Sequence, residues 1–380
     1  VDLSTQNPHP ANPQPVASAP SEGVQQSATT PSSNSNAITT APAKPIPVTA
    51  FNDAMRRSPR MPPAMLQMRQ RLPIVPYVRD KVEEAAGIAD DNFVMTQTMA
   101  YNEFLNNANQ LRNLAYRPLR IRPYLVDSES RIASVWTRDA VDWRMVLGVD
   151  ANTLTQADQA LKDQGYHPID VACWQADGTK FAAVWALDES QSGEHELMLG
   201  LTSESFPAAA ATARARGLMP LSHHVSDTAQ GDRLYSVVWH KPEKVMPWHH
   251  WDDDREEHES ALKRPGAPQD VCLEYLSNGD LIYGGLLVGL PDPNAIELHG
   301  YDAEDHRTQC RDLASKGYRP IAIAAASPRG GQQTVTASIW QHGAGVGLSP
   351  VMAGTSTPDP TSMSAAMTHA LRFDGSALVT

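Results

Sequence analysis

The chain has 380 residues, 41 % hydrophobic and 19 % charged, with a formal net charge of −12, 30 prolines and 3 cysteines. Three cysteines exclude a densely disulfide-stapled fold, the acidic balance argues against a general nucleic-acid binder, and no apolar run approaches the ~18 residues that a membrane helix needs. Position 1 is valine and no signal-peptide pattern comes after it, so the sequence is expected to be a piece of a longer chain.

Residues 1–50 hold nine of the 30 prolines, no Phe, Trp or Tyr, and only Asp2, Glu22 and Lys44 as charges. Such a tract cannot bury enough apolar area to offset the entropy of ordering it, and it reads as a disordered Pro/Ser/Thr linker. Residues 51–95 read as a basic connector. Across residues 56–81, Arg56, Arg57, Arg60, Arg69, Arg71, Arg79 and Lys81 face only Asp80, interleaved with Met61, Met65, Leu66, Met68 and Leu72. The pattern suits either a solvated connector or a basic amphipathic surface for a membrane or anionic polymer. Pro59, Pro62, Pro63, Pro73 and Pro76 rule out one continuous helix.

From residue 96 to 345 the chain repeats with a period of about fifty residues. Thr98, Asp150, Thr202, Asp252 and Asp302 stand at the expected helix N-caps, where side-chain oxygens accept from unpaired helical N–H groups. The helices stop at Ala115-Tyr116-Arg117-Pro118, Gly165-Tyr166-His167-Pro168, Gly217-Leu218-Met219-Pro220 and Gly317-Tyr318-Arg319-Pro320. Gly266-Ala267-Pro268 is a degenerate fourth copy without the tyrosine. Glycine supplies the left-handed turn past the helix, and proline blocks its resumption.

Two β-runs follow each proline, joined by turns such as Asp177-Gly178 and Asn278-Gly279. The second run ends on Trp136, Trp185, Trp239 and Trp340, with Gly285 as the equivalent in unit four. A third run leads to the next cap. The expected fold is α+β: about five tandem αβββ units forming a curved antiparallel sheet or half-barrel with helices on one face. A propeller is disfavoured, since its blades carry four strands and no helix. Residues 346–380 are expected to be a flexible tail.

The Gly-Tyr-x-Pro turn, the Ala-x-Val-Trp strand end (Ala182 to Trp185) and His299-Gly300-Tyr301-Asp302 resemble the bacterial tandem-repeat domain that also builds the N-terminal region of fungal polyglycine hydrolases. The resemblance implies an αβ repeat array attached to another domain that carries the chemistry. That domain is serine β-lactamase-like in the hydrolases, and a kinase or other enzyme in planctomycete-type multidomain proteins. It brings no catalytic residue to carry over. Ala370 to Gly375 is similar to the opening strand of a concanavalin-like lectin domain.

The densest set of candidate ligands is Trp248 to Glu259, from which His249, His250, Asp252 and His258 form a candidate divalent-metal site. The competing reading is structural: the register puts Asp252 at a helix start, where negative charge complements the macrodipole. Ser260-Ala261-Leu262-Lys263 matches the Ser-x-x-Lys of β-lactamase-like hydrolases but lacks a following Lys-Thr-Gly. No kinase signature is present. Cys173, Cys272 and Cys310 are expected as buried apolar side chains. Trp136, Trp185, Trp239, Trp340, Tyr116, Tyr166 and Tyr318 either face a peptide or glycan ligand or join successive units. Gly285 then leaves a cavity or a binding notch.

The expected function is a non-catalytic repeat module, with no cofactor beyond that candidate metal. It binds or positions partners within a larger bacterial, kinase- or peptidase-linked protein. Its partners are the linked domains and a peptide or glycan ligand, not nucleic acid. A hydrolase, serine-based or metal-dependent, and a glycan- or peptide-binding surface are the alternatives. The Pro/Ser/Thr linker suggests an extracytoplasmic or cell-envelope location.

Overall fold

A computed structural model describes residues 46–188, 193–228, 230–276, 278–328 and 333–342. The expected linker up to residue 45, the tail and the lectin-like Ala370 to Gly375 lie outside the described residues, as does Gly330-Gly331, where the fifth unit is expected to turn. Contacts divide the chain between residues 43 and 44, and every helix and strand named below belongs to the second unit.

Three short helices come first: α1 (Val48–Arg57), α2 (Pro63–Arg69) and α3 (Pro76–Glu84). Proline occupies the first turn of α2 and α3, where its missing N–H costs nothing. These helices do more than connect. Phe51, Met55, Val78 and Val82 are buried in the largest core cluster, and Asn52 exchanges two hydrogen bonds with the Leu147 backbone. An apolar minority among many basic side chains therefore anchors the segment.

Five units follow, after the short β1 (Ile88–Ala89). Unit one is β2 (Phe93–Ala100), α4 (Tyr101–Asn113), β3 (Arg117–Val126) and β4 (Glu129–Thr137). Unit two is β5 (Asp142–Val149), α5 (Ala151–Lys162), β6 (His167–Ala176) and β7 (Gly178–Leu187). Unit three is β8 (His195–Thr202), α6 (Phe206–Ala215), β9 (Met219–Asp227) and β10 (Arg233–His240). Unit four is β11 (Trp248–Asp253), α7 (Arg255–Ala261), β12 (Ala267–Tyr275) and β13 (Leu281–Val288). Unit five is β14 (Ala295–Asp302), α8 (Ala303–Ser315), β15 (Tyr318–Ala326) and β16 (Val335–His342).

The α+β class, the antiparallel pairing and the five units are as the period predicts. The frame differs. The strand before each helix pairs with the hairpin after it, so the folded unit is βαββ, with the second hairpin strand in the middle of its sheet. Nor do the units share one curved sheet: each has its own, and unit one alone adds a fourth strand, β1.

The array also closes. The first hairpin strands β3, β6, β9, β12 and β15 pack against one another in succession, and β15 returns to pack on β2, β3 and β4. The result is a ring of five blades, each with a helix between its outer strand and its hairpin. The blades are not hydrogen-bonded into a closed barrel. A repeat period specifies which units are neighbours but not the angle between them, so the sequence alone suggests an open array.

One device recurs in every inner strand. The register slips just after the proline, between Pro118 and Arg120, Pro168 and Asp170, Pro220 and Ser222, Pro268 and Asp270, and Pro320 and Ala322. A bulge accommodates a proline that cannot complete the ladder, and it re-aims the residue that follows. In units one to four that residue is polar and buried: Arg120, Asp170, Ser222 and Asp270.

These side chains meet at the centre of the ring together with Arg122. One Arg122 nitrogen lies 2.9 Å from Asp170 Oδ1 of unit two, and the other 2.9 Å from Asp270 Oδ1 of unit four. Arg120 Nε stands 3.3 Å from Asp270, and Arg120 Nη2 donates to the Leu221 carbonyl of unit three. Asp170 also accepts from the Ile121 N–H and the Ser222 hydroxyl, and Asp270 from the N–H groups of His223 and Val271. Burial alone would raise Asp270, but Arg122, Arg120 and His223 outweigh it and hold the carboxyl down to about 2.

Around this centre the repeated tryptophans tie blade to blade. Trp136 packs on Trp143 of β5 at 5.6 Å between centroids, Trp239 on Trp248 of β11 at 5.7 Å, and Trp340 on Phe93 of β2 at 5.8 Å. The last contact closes the ring. Gln97 completes that seam, bonding His306 and the Ala303 carbonyl of unit five.

Asp150 and Asp302 cap α5 and α8 as expected. The other three helices start two or three residues later than their predicted caps. Strand β2 runs through Thr98 to Ala100, Ser205 takes the place of Thr202, and Asp254 that of Asp252. Past the helices, Gly165, Gly217 and Gly317 take positive φ of 85°, 75° and 89°.

Removing one member of the central cluster leaves a buried arginine uncompensated. Asp270→Asn is expected to lower stability by about 3–5 kcal/mol in a denaturant titration. Burial also pushes His167, His223 and His240 down to about 4 from 6.5. The unfolded chain therefore takes up protons first, and stability held above pH 6.5 falls as pH drops towards 4. Thermal melts across that range check this; a flat profile contradicts it.

Candidate functional site

Unit four carries the histidine-rich element, and β11 distributes it by simple alternation. His250 and Asp252 share one face of the strand, where His250 lies edge-on to Phe206 and Asp252 bonds Arg233 and the Tyr235 hydroxyl. His249 and Trp251 occupy other positions along the strand and stack at 6.0 Å. A period of two sends neighbouring residues to opposite sides, so His249, His250, Asp252 and His258 do not converge on one ion. The predicted four-residue metal site is not assembled.

His258 finds other company. On α7 it is fully buried, 2.6 Å from Glu297 Oε1 and 4.8 Å between ring centroids from His299. Glu297 and His299 stand two apart on β14 and so share a face. Among the described residues, His258, Glu297 and His299 are the set whose ligand atoms all lie within 4.8 Å of one another. From sequence, His299 stands out only as a strand-end residue and Glu297 not at all. Their i, i+2 spacing on a strand facing a histidine-bearing helix is the signal that could have found them.

The placement of protons argues against an ion here. The Trp251 indole N–H lies 2.9 Å from His258 Nδ1, and an indole nitrogen can only donate. His258 Nδ1 must then accept, which places the ring proton on Nε2, pointing at the Glu297 carboxylate. Metal bound at Nε2 would need that proton on Nδ1, facing the indole N–H. Metal-binding histidines ordinarily donate from the second nitrogen to an acceptor. His258 and Glu297 fit a hydrogen-bond chain that starts at Trp251 better than a metal centre.

That chain holds Glu297 at the wall of a cleft of about 500 Å³ between units four and five. Lys263 and Arg264 follow α7 along one side, and Asp292 enters from the loop after β13. Pro265, Pro268, Pro291 and Pro293 line the remainder. Prolines restrict the loops before any ligand arrives, which lowers the ordering cost of binding. Glu297 lines the cleft with only 5 % of its side chain exposed, Lys263 lines it as well, and Arg264 is paired with Glu257 and His249. Burial lowers His299 despite the Glu297 charge, leaving it neutral at pH 7.

The remaining candidates are engaged internally. Trp136, Trp185, Trp239 and Trp340 are all buried to 1 % exposure or less. The Trp136, Trp185 and Trp340 indoles bond Ser134, Asp158 and Ser338. Tyr116 and Tyr166 are buried too, tying back to the Asp90 carbonyl and the Asp142 carboxylate. Tyr318 is half-buried beside His342. None of the four tryptophans, nor Tyr116 or Tyr166, presents a ring to a ligand. Ser260 is exposed, and among the described residues its hydroxyl makes no bond to Lys263. All three cysteines are free and buried, and burial pushes the Cys173 and Cys310 thiols up to about 12.

Gly285 is neither the missing tryptophan position nor a notch. In the other units the tryptophan pairs across the hairpin with the proline, as Trp185 does with Pro168. In unit four Pro268 pairs with Leu287, which takes the slot. Gly285 lies two residues earlier, opposite Trp251. A Cβ there would sit 2.1 Å from Trp251 Cζ2, so the Trp251 ring itself covers the space. Gly285→Ala is expected to cost about 1–3 kcal/mol by overpacking. A denaturant titration showing no loss would mean that the indole can move away freely.

Five βαββ blades in a ring, joined by buried aromatics, define a tandem structural repeat. The chain belongs to the polyglycine hydrolase-like structural repeat family, which it matches at residues 91–139, 140–186, 196–242 and 295–342, about half its length. These spans follow the βαββ frame and cover units one, two, three and five. The intervening stretch, with β11, α7, β12 and β13, is not matched. No curated protein sequence matches the chain.

Proposed function

We propose that this repeat ring is a non-catalytic binding module within a larger chain, and that the cleft between units four and five takes an amine-bearing ligand such as a peptide amino terminus. The observation that carries the reading is the Trp251–His258–Glu297 chain. It fixes one carboxylate at the wall of a proline-lined cleft in the blade that departs from the repeat. A carboxylate so oriented suits an ammonium group, and the flanking Lys263 suits a carboxylate or carbonyl on the same ligand, while Arg264 is held by Glu257 and His249. Ser338, His306 and Gln97 form a hydroxyl–imidazole–amide chain, but all three are fully buried and closed to a substrate, so the chain lends no support to the hydrolase alternative.

The ring positions such a partner for a linked domain, consistent with an attachment to kinase- or peptidase-type enzymes. Screening the full chain against a peptide library with free and acetylated amino termini tests this. Binding is expected only for free termini, with Glu297→Gln weakening it about tenfold or more at an unchanged melting temperature. Equal binding of acetylated peptides, or turnover of a peptide or glycan substrate abolished by a point mutation, would overturn it.

A further inference from the structure

The segment from the end of α1 into α3 supplies a second, independent surface. Among the described residues eight large hydrophobic side chains are exposed, and five of them fall here: Met65, Met68, Leu72, Val75 and Tyr77. Met65 and Met68 stand three apart on α2, and Leu72 follows in the turn after it. Met68, at 60 %, is the most exposed of the three.

The mount beneath them is rigid. Leu66 turns inward onto Met61 and Ala115. Arg138 donates to the carbonyls of both Arg69 and Leu72, and Gln70 donates back to the Arg138 carbonyl. The apolar side chains therefore stand in water by construction, held there by hydrogen bonds from unit one.

Charge identifies what they meet. Residues 56–81 carry seven basic side chains against Asp80 alone, in a chain whose net charge is −12. Arg57, Arg71 and Arg79 are exposed and have no ion-pair partner among the described residues. Long, mostly unbranched apolar side chains on the same segment as unpaired arginines suit a partner that is anionic, fluid and without fixed shape.

We propose that this segment docks the module on an anionic lipid bilayer, the methionines and Leu72 entering the headgroup boundary while the arginines neutralise lipid charge. Neither contribution suffices alone, since stable peripheral binding takes two signals. The surface is separate from the Glu297 cleft, so either reading can fail without the other.

Co-sedimentation of the full chain with phosphatidylcholine vesicles, with and without ~20 % phosphatidylglycerol, tests the proposal. Binding is expected only with the anionic lipid, and is expected to disappear by ~0.5 M salt. Combining Arg57→Glu, Arg71→Glu and Arg79→Glu should weaken it about 100-fold or more. Met68→Ser with Leu72→Ser should weaken low-salt binding while leaving the melting temperature unchanged, because both side chains are already in water. Equal binding to uncharged vesicles would overturn the proposal, as would a charge-reversed variant that binds normally. Displacement by soluble polyglutamate at equal charge concentration would assign the surface to an acidic polypeptide instead. The wild-type salt dependence alone decides the case if a variant fails to fold.

Discussion

The ring depends on where one guanidinium is placed. Arg122 reaches from the first blade to carboxylates on the second and the fourth, and its fork cannot satisfy both unless those strands converge. Arg120, Ser222 and backbone N–H groups saturate the remaining acceptor sites. A buried ion cluster of this kind contributes little net stability over a well-packed apolar core, because desolvation cancels much of the attraction. Its effect is specificity. Any alternative angle between blades would leave a charge buried without its partner, and that penalty is large.

Closure and packing then reinforce each other. The fifth blade contributes Ala322 to the level where the others carry charged or polar groups, and its small side chains let β15 approach β12 and β3. The Trp340 contact with Phe93 repeats at the seam the same aromatic contact that joins the first and third blades to their successors. Each tryptophan is opposite the proline whose bulge turns the next side chain inward, so one short motif builds both the centre and the interface.

The fourth blade keeps the architecture with other residues. Leu287 replaces the tryptophan, Trp251 crosses from the neighbouring strand over Gly285, and its indole bonds a histidine rather than the Asp158 used by Trp185. The exchange passes a hydrogen bond outward to Glu297. A rearrangement that preserves packing thus also orients a carboxylate at the wall of a cleft, which explains why the departure from the repeat and the candidate site coincide.

Much of the fold is legible in the residues. Period, helix-stop glycines, hairpin turns and the α+β class follow from local backbone preferences, which act within a few residues and so leave a mark on the sequence. The buried charges also have a visible trace: Arg120, Asp170 and Asp270 each stand two residues past the repeated proline. Their pairing is not legible, because it joins units one, two and four across an axis that no linear period describes. His258 and Glu297 are 39 residues apart and meet only because β14 lies beside α7. The sequence by itself determined five blades and their neighbours, through short-range sterics and hydrogen bonding. The tertiary structure alone decided that they close into a ring and which side chains face each other, since both depend on the angle at which whole sheets pack.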